Sequence, residues 1–299
     1  MEVTLQSLLD AGGPIITDGA MGTMLFSLGL ELGMAPVVWN VENPDGIAKV
    51  HQTYIEAGTQ IILTNTFVAN RHNLSRNNLS ERAVEFNTAA VKIARKVAAE
   101  ADTGVVVAGD IGPTGGVVAS YGDVAYEDAV DIFKEQATAL AEAGAGLFWL
   151  ETIENLEEMD AALEGCKQAA PQIPVVATMS FGTNQNIART TYGVTHEQAA
   201  DLMTSHGVLA FGANCGLGLE AVEKAIGGMR EFDGSVPLVA KANAGIPTLQ
   251  DDKAVYPSSP QDMAEFARTV SKMGARIIGG CCGSTPDHIR AISEALTGG

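Results

Sequence analysis

Short apolar runs alternate with longer amphipathic segments along almost the whole chain. The runs at Pro14–Asp18, Gln60–Asn65, Val105–Gly109, Gly146–Glu151, Pro174–Ser180, Val208–Asn214, Pro237–Ala242 and Ala275–Gly279 are nearly uniform in apolar side chains. Uniform rather than alternating polarity predicts strands covered on both faces, as in a parallel sheet. Between them, helical patterns fall at Pro44–Ala57, Glu81–Glu100, Tyr126–Ala143, Asn155–Ala169, Thr195–Ser205, Leu219–Arg230, Pro260–Lys272 and Pro286–Leu296. Asn43-Pro44 and Thr285-Pro286 each set a capping side chain before a first-turn proline, and Gly58, Gly144 and Gly274 close helices before the next strand. Eight βα units without a break in composition predict an α/β fold, a (β/α)8 TIM barrel in a single domain spanning residues 1–299. An open, doubly wound sheet is the structural alternative.

Polar groups gather where these strands end. Asp18, Asn65, Asp110, Glu151 and Ser180 end or follow the first five strands; Asn214-Cys215, Asn243 and Cys281-Cys282 end or follow the last three. Barrel enzymes build their sites at this end, and packing alone gives no reason for such a set to collect there.

Composition narrows the function. With 299 residues the chain can bury a sizeable core, and its formal charge of −18 argues against nucleic acid as a partner. Four cysteines in such a length make no disulfide framework, and two of them are neighbours, which suits ligation better than bridging. Met1-Glu2-Val3-Thr4 does not open a signal peptide, and no apolar run reaches the length of a membrane span. Reduced thiols without an export signal lead to the expectation of a cytoplasmic protein that engages no membrane.

The chemistry rests on Cys215, Cys281 and Cys282. Three thiolates from separate strand ends form a soft tripod suited to Zn2+, and three protein ligands leave a coordination position free for substrate. Such a centre is electron-rich and polarises carbonyls poorly. It is suited to holding an incoming thiol as thiolate, so the expected reaction is alkyl transfer to sulfur. A structural zinc site or buried unreactive thiols are the competing readings, although a structural site ordinarily has four ligands. Cys166 falls within a helical pattern and is expected to pack.

The motifs Asp18-Gly19-Ala20-Met21-Gly22-Thr23, Leu63-Thr64-Asn65-Thr66-Phe67, Gly109-Asp110-Ile111-Gly112-Pro113-Thr114, Glu151-Thr152, Gly212-Ala213-Asn214-Cys215 and Gly279-Gly280-Cys281-Cys282-Gly283 together resemble the zinc-dependent homocysteine S-methyltransferase family. That family includes betaine–homocysteine methyltransferases and the homocysteine module of cobalamin-dependent methionine synthases, and the likeness runs from Leu8 to about Leu296. The resemblance implies that the three cysteines bind zinc and that homocysteine sulfur completes the tetrahedron. It implies further that Asp18 and Glu151 receive the substrate ammonium. Backbone N–H groups at Gly19, Ala20 and Gly22 would meet its carboxylate, with Asn65, Asn214 and Asn243 as amides around the metal. Which oxygen fills the fourth metal position before substrate binds stays open.

For the methyl donor the resemblance points to betaine, whose quaternary ammonium would be recognised by aromatic faces. Candidate aromatics are Trp39, Phe67, Tyr121 and Phe181. The animal betaine enzymes carry an aromatic where this chain has Val68, so a sulfonium such as dimethylsulfoniopropionate or S-methylmethionine stands beside betaine as donor. A separate methylcobalamin (corrinoid) protein is a further source of the methyl group. The chain ends at Gly299 without folate- or cobalamin-binding modules, so the donor is expected to arrive as a small molecule or on another protein. The sequence is compatible with a homo-oligomer. A non-catalytic zinc or amino-acid binding barrel is the reading from outside enzymology, and intact Asp18, Glu151 and cysteines weigh against it.

Overall fold

The computed structural model describes residues 3–119, 122–184, 187–232, 234–250 and 253–298. Eight parallel strands form one sheet: β1 (Ile15–Ile16), β2 (Ile61–Leu63), β3 (Val106–Ile111), β4 (Leu147–Ile153), β5 (Val175–Met179), β6 (Ala210–Cys215), β7 (Leu238–Ala242) and β8 (Ala275–Gly280). Their order runs β1-β8-β7-β6-β5-β4-β3-β2, with every pairing parallel. A single bridge, Thr17 to Ile61, joins the two ends. Asp18 N–H donates to Ile61 O at 3.1 Å and Gln60 N–H to Ile16 O at 2.8 Å, so the sheet closes into a barrel. The open-sheet alternative is thereby set aside.

Eight helices cover the barrel: α1 (Pro44–Glu56), α2 (Ala83–Glu100), α3 (Tyr126–Glu142), α4 (Leu156–Ala169), α5 (His196–Ser205), α6 (Leu219–Phe232), α7 (Pro260–Lys272) and α8 (Pro286–Thr297). The expected cap is present on α1, where the Asn43 side chain accepts from Gly46 N–H; at the start of α8 Thr285 N–H donates to His288 Nδ1 at 3.1 Å, and α5 opens on a further capping box of Thr195 and Gln198. Elements beyond the periodic pattern include a helix at Leu5–Ala11, a short helix at Gly22–Ser27, and two antiparallel pairs of short strands, Gly182–Asn184 with Ile187–Arg189 and Thr248–Gln250 with Lys253–Val255. No helix among the described residues is long and apolar enough to cross a membrane.

Period-two alternation along the strands sorts the core into two layers. Facing inward are Ile15, Ile61, Leu63, Val106, Ala108, Leu147, Trp149, Val176, Ala210, Val239 and Ile277, which pack with one another and with Leu5. That helix, Leu5–Ala11, also brings Leu8 and Leu9 against this inner cluster. The outward partners, such as Phe148, Leu150, Phe211, Leu238 and Ala240, pack in the cluster that also holds residues of the surrounding helices. Two residues on from an inward apolar position, the next side chain must also face inward. Asp110 follows Ala108, Glu151 follows Trp149, Thr178 follows Val176 and Lys241 follows Val239 in this way. The barrel interior is therefore greasy at the N-terminal end and charged at the C-terminal end.

Candidate active site

The three cysteines foreseen as a tripod do come together. Their Sγ atoms all lie within 4.8 Å of one another, and Cys215 Sγ stands 4.0 Å from Cys282 Sγ. A tetrahedral zinc with bonds of about 2.3 Å separates its sulfurs by about 3.8 Å, so the donor set fits that ion in number, chemistry and spacing. Crowding makes the thiols poor acids on their own. The Cys281 thiol lies well above the ordinary value, raised by the neighbouring Cys215 and by burial despite an opposing contact from Cys282. Three thiolates at this spacing need a cation among them. Cys166, by contrast, is buried alone in α4, as a packing residue should be.

Local backbone geometry aims these groups. Cys215 sits in the left-handed region at φ 57°, as does Thr152 at φ 63° across the barrel mouth. Such conformations persist only where their surroundings hold them. Asn214 does that work: its Nδ2 donates to Thr152 Oγ1 at 2.7 Å and approaches Cys281 Sγ at 3.8 Å. Its Oδ1 accepts from Thr152 N–H at 2.9 Å and from Thr178 Oγ1 at 2.8 Å. Asn214 is thus wholly engaged with neighbours. Asn243 donates to Gly216 O at 3.0 Å, and its buried Oδ1 has no protein partner. Asn65 ties down the 36–40 segment through Pro36 O and Asn40 Oδ1, at 2.9 and 2.8 Å.

The turn after β1 is stapled to the cysteine turn after β8. Ala20 N–H donates to Ser284 Oγ at 3.1 Å, Ser284 Oγ donates to Cys281 O at 2.7 Å, and Tyr54 OH donates to Ala20 O at 2.7 Å. A Cβ on Gly19 would stand 2.6 Å from Ser284 Oγ and 2.8 Å from Tyr54 OH, so glycine is required there. The staple alters one expectation: the Ala20 N–H is occupied by Ser284, and Gly19 and Gly22 are the members of that trio left to meet an anion.

A cavity of about 380 Å³ opens between these turns, lined by Gly19, Gly22, Asn65, Thr152, the three cysteines and, at its floor, Asp18, Asp110, Glu151 and Lys241. Its opposite wall is apolar, with Phe26, Pro36, Val37, Phe67 and Val68. Of the aromatic residues expected near a donor, Phe67 lines this wall. Trp39 instead packs against the hydrophobic core, because it opens the helical turn Trp39–Glu42 rather than the loop. Phe181 is buried beside a second cavity of about 570 Å³, which shares Cys215 and Thr152 with the first. Tyr121 lies outside the described residues.

Lys241 is the residue that motif reading missed. It is 2% exposed, and its Nζ lies 3.3 Å from Asp18 Oδ1 and 3.6 Å from Glu151 Oε2. Burial works against its charge, yet Glu151 and Asp18 together hold it above the ordinary lysine value. Burial raises the Asp18 and Glu151 carboxyls while Lys241 pulls both down. The Asp110 carboxyl lies well above its usual range, through burial first and then the nearby Glu151. Tyr256 was missed as well. Its ring occupies the space a Cβ on Gly283 would need, and burial with the Cys282 charge pushes its phenol up to about 12.

A closed (β/α)8 barrel with a thiol cluster and charged floor at the C-terminal mouth has the build of an enzyme. The chain belongs to the homocysteine S-methyltransferase family, whose profile matches residues 15–296. It is 30% identical over 296 residues to a methionine synthase of Mycobacterium leprae (strain TN), covering 94% of this chain and 24% of that protein. The chain thus spans about a quarter of the length of the methionine synthases it matches. Among solved structures it is similar to the metallated homocysteine methyltransferase MmuM from Escherichia coli, at a TM-score of 0.81 and 27% identity, covering 97% of this chain and 98% of that one. The apo form of the same protein superposes at 0.74 with 27% identity, covering 97% and 99%.

Proposed function

We propose that this barrel transfers a methyl group from a small onium donor, betaine in the first instance, to the sulfur of homocysteine, giving methionine. The observation that carries the reading is the meeting of three sulfurs with a carboxylate-lined floor in one cavity. Cys215, Cys281 and Cys282 would hold the zinc, a role supported by the spacing of their sulfurs and by the likeness to a metallated relative. Bound there, zinc would supply the charge that keeps the substrate sulfur ionised near neutral pH.

The chain's own groups account for the rest. Gly19 and Gly22 N–H groups face the substrate carboxylate, and the floor carboxylates, Asp18 and Glu151 among them, take its ammonium. Fixing both ends of the amino acid leaves the sulfur pointing at the cysteines, a gain of alignment rather than of acid–base chemistry. The apolar wall of Phe26, Val37, Phe67 and Val68 excludes water from the donor side. Phe67 offers the onium a ring face. The sulfur attacks the methyl carbon in line; the C–N or C–S bond breaks, its electron pair leaves on the donor, and the thiol proton goes to solvent.

One observation favours a second donor. The relatives that the chain matches over about a quarter of their length are methionine synthases, which fits a homocysteine barrel that takes its methyl group from methylcobalamin. The test is methionine formation by zinc-loaded protein given homocysteine with betaine, with a sulfonium, or with methylcobalamin. An onium-dependent product is expected. Product from methylcobalamin alone would replace the onium donor, and no product from any of the three would overturn the methyltransferase reading.

A further inference from the structure

The three protein sulfurs share a feature beyond their spacing: each has a neutral hydrogen-bond donor beside it. At Cys281 the donor is Asn214, whose Nδ2 lies 3.8 Å from the sulfur. At Cys215 it is the Asn243 amide, and at Cys282 the Tyr256 phenol. An amide carries two N–H groups. The other N–H of Asn214 goes to Thr152 Oγ1, and that of Asn243 to Gly216 O.

Tyr256 follows the short strand Lys253–Val255 and is fixed by its surroundings. Two residues on, Ser258 N–H donates to Ala244 O at 3.0 Å and Ser258 O accepts from His288 Nε2 at 2.9 Å. Ala244 N–H in turn donates to Cys282 O at 2.9 Å, so the segment is tied to the cysteine turn. The Tyr256 ring itself fills the space that a Cβ on Gly283 would take. The free metal position is different. It opens into the cavity, whose facing wall is the apolar set Phe26, Val37, Phe67 and Val68. A substrate sulfur arriving there meets no hydrogen-bond donor from that wall. A hydrogen bond to a thiolate draws off part of its charge and weakens it as a nucleophile.

We infer that Tyr256 is a positioning residue acting through Cys282, and that with Asn214 and Asn243 it directs methylation to the substrate and away from the protein's own sulfurs. The inference rests on the alkyl-transfer reading and adds how the site survives its own donor. A ligand thiolate that attacked the methyl carbon would form an S–CH3 bond while the leaving group departed with its electron pair. The product is a thioether in place of a thiolate, and the metal set is lost. Damping the three ligand sulfurs, and leaving the fourth undamped, prevents this.

Iodomethane, which needs no donor site, tests this without homocysteine. Zinc-loaded wild type, Tyr256→Phe and Asn243→Leu are treated alike, and methylation of each cysteine is timed by peptide mass spectrometry. Zinc content and circular dichroism serve as controls. Tyr256→Phe keeps the ring and removes the hydroxyl, so Cys282 should be methylated about tenfold faster while Cys215 stays within about twofold of wild type. Asn243→Leu should reverse the pattern, sparing Cys282 and accelerating Cys215. In cobalt-loaded protein, either change should move the thiolate-to-cobalt charge-transfer band to longer wavelength. Equal Cys282 rates in folded, zinc-loaded wild type and Tyr256→Phe would overturn the inference, as would a rise at both cysteines together, the sign of a loosened site. If Tyr256→Phe does not keep its zinc, Asn243→Leu decides, and an unchanged Cys215 rate counts against the inference. A wild type that makes no methionine from any donor would sink the proposed function and leave this comparison standing.

Discussion

Cys281 and Cys282 are consecutive in a tight turn, so each owes its placement to the other. Replacing Cys282 by alanine leaves two sulfurs, and a zinc held by two thiols loses both affinity and the charge that tunes it. Cys282→Ala should therefore fall from about one zinc per chain to nearly none and lose methionine formation by more than about a hundredfold. A variant that keeps metal and turnover would refute the tripod. His51 makes a different prediction, about stability. It is fully buried in α1 with neither ring nitrogen partnered, and burial holds its pKa down to about 4. Because the folded value lies below the unfolded one, the neutral ring's contribution is complete above about pH 6.5 and is lost as pH falls toward 4. The loss amounts to about 3 kcal/mol. His51→Phe should remove this acid-side slope without destabilising the protein at pH 7, as read from urea midpoints between pH 4.5 and 7.5; identical slopes would dismiss the idea. Among individual residues, thiols were legible because Cys-Cys and Asn-Cys at strand ends have few other uses. Lys241 was not, because a lysine within an apolar run reads as an exposed edge position. Its signal was available: a central parallel strand has no solvent face, so a charged residue there points into the barrel.

At the level of elements, the eight strands and eight helices emerged from polarity alone because their uniform and amphipathic patterns are both strong. The first strand shrank from the expected Pro14–Asp18 to Ile15–Ile16, since the chain must turn early for Asp18 to face inward. The paired short strands, Gly182–Asn184 with Ile187–Arg189 and Thr248–Gln250 with Lys253–Val255, escaped notice because runs of three residues carry little pattern. Asn65 stands just beyond the end of β2 and Asn214 next to last in β6. What their amides do was decided by contacts between β2, β4, β5 and β6 that no local pattern encodes. Asn214 joins β6 to the Thr152 turn of β4 and to Thr178 of β5. Asn214→Ala should cost about 2 kcal/mol, for the bonds it removes from a buried network. It should also weaken zinc about tenfold to a hundredfold by releasing Thr152 and the cysteine turn. Thermal unfolding and competitive chelation read the two effects separately, and unchanged zinc affinity would deny Asn214 its supporting role.

For the whole molecule, the apolar layers inside and outside the sheet hold the barrel without help from the thiols. Chelating the metal should accordingly stop methionine formation while leaving the far-ultraviolet spectrum intact and lowering the melting temperature by only a few degrees, with activity restored by zinc. Collapse of the spectrum on chelation would show the ion to be structural. The seam between the first and last strands has a final consequence. Ser284 receives the Ala20 N–H across most of the chain length, and two of the three sulfurs lie beyond β8. While the protein is still being made, a ribosome-tethered chain shorter than Cys281 therefore owns a single sulfur of the set and no partner for its first turn. Capture of a metal by the full set would have to wait until the last strand of the barrel has been made. Prematurely terminated products would be blind to zinc, however well their early βα units had folded.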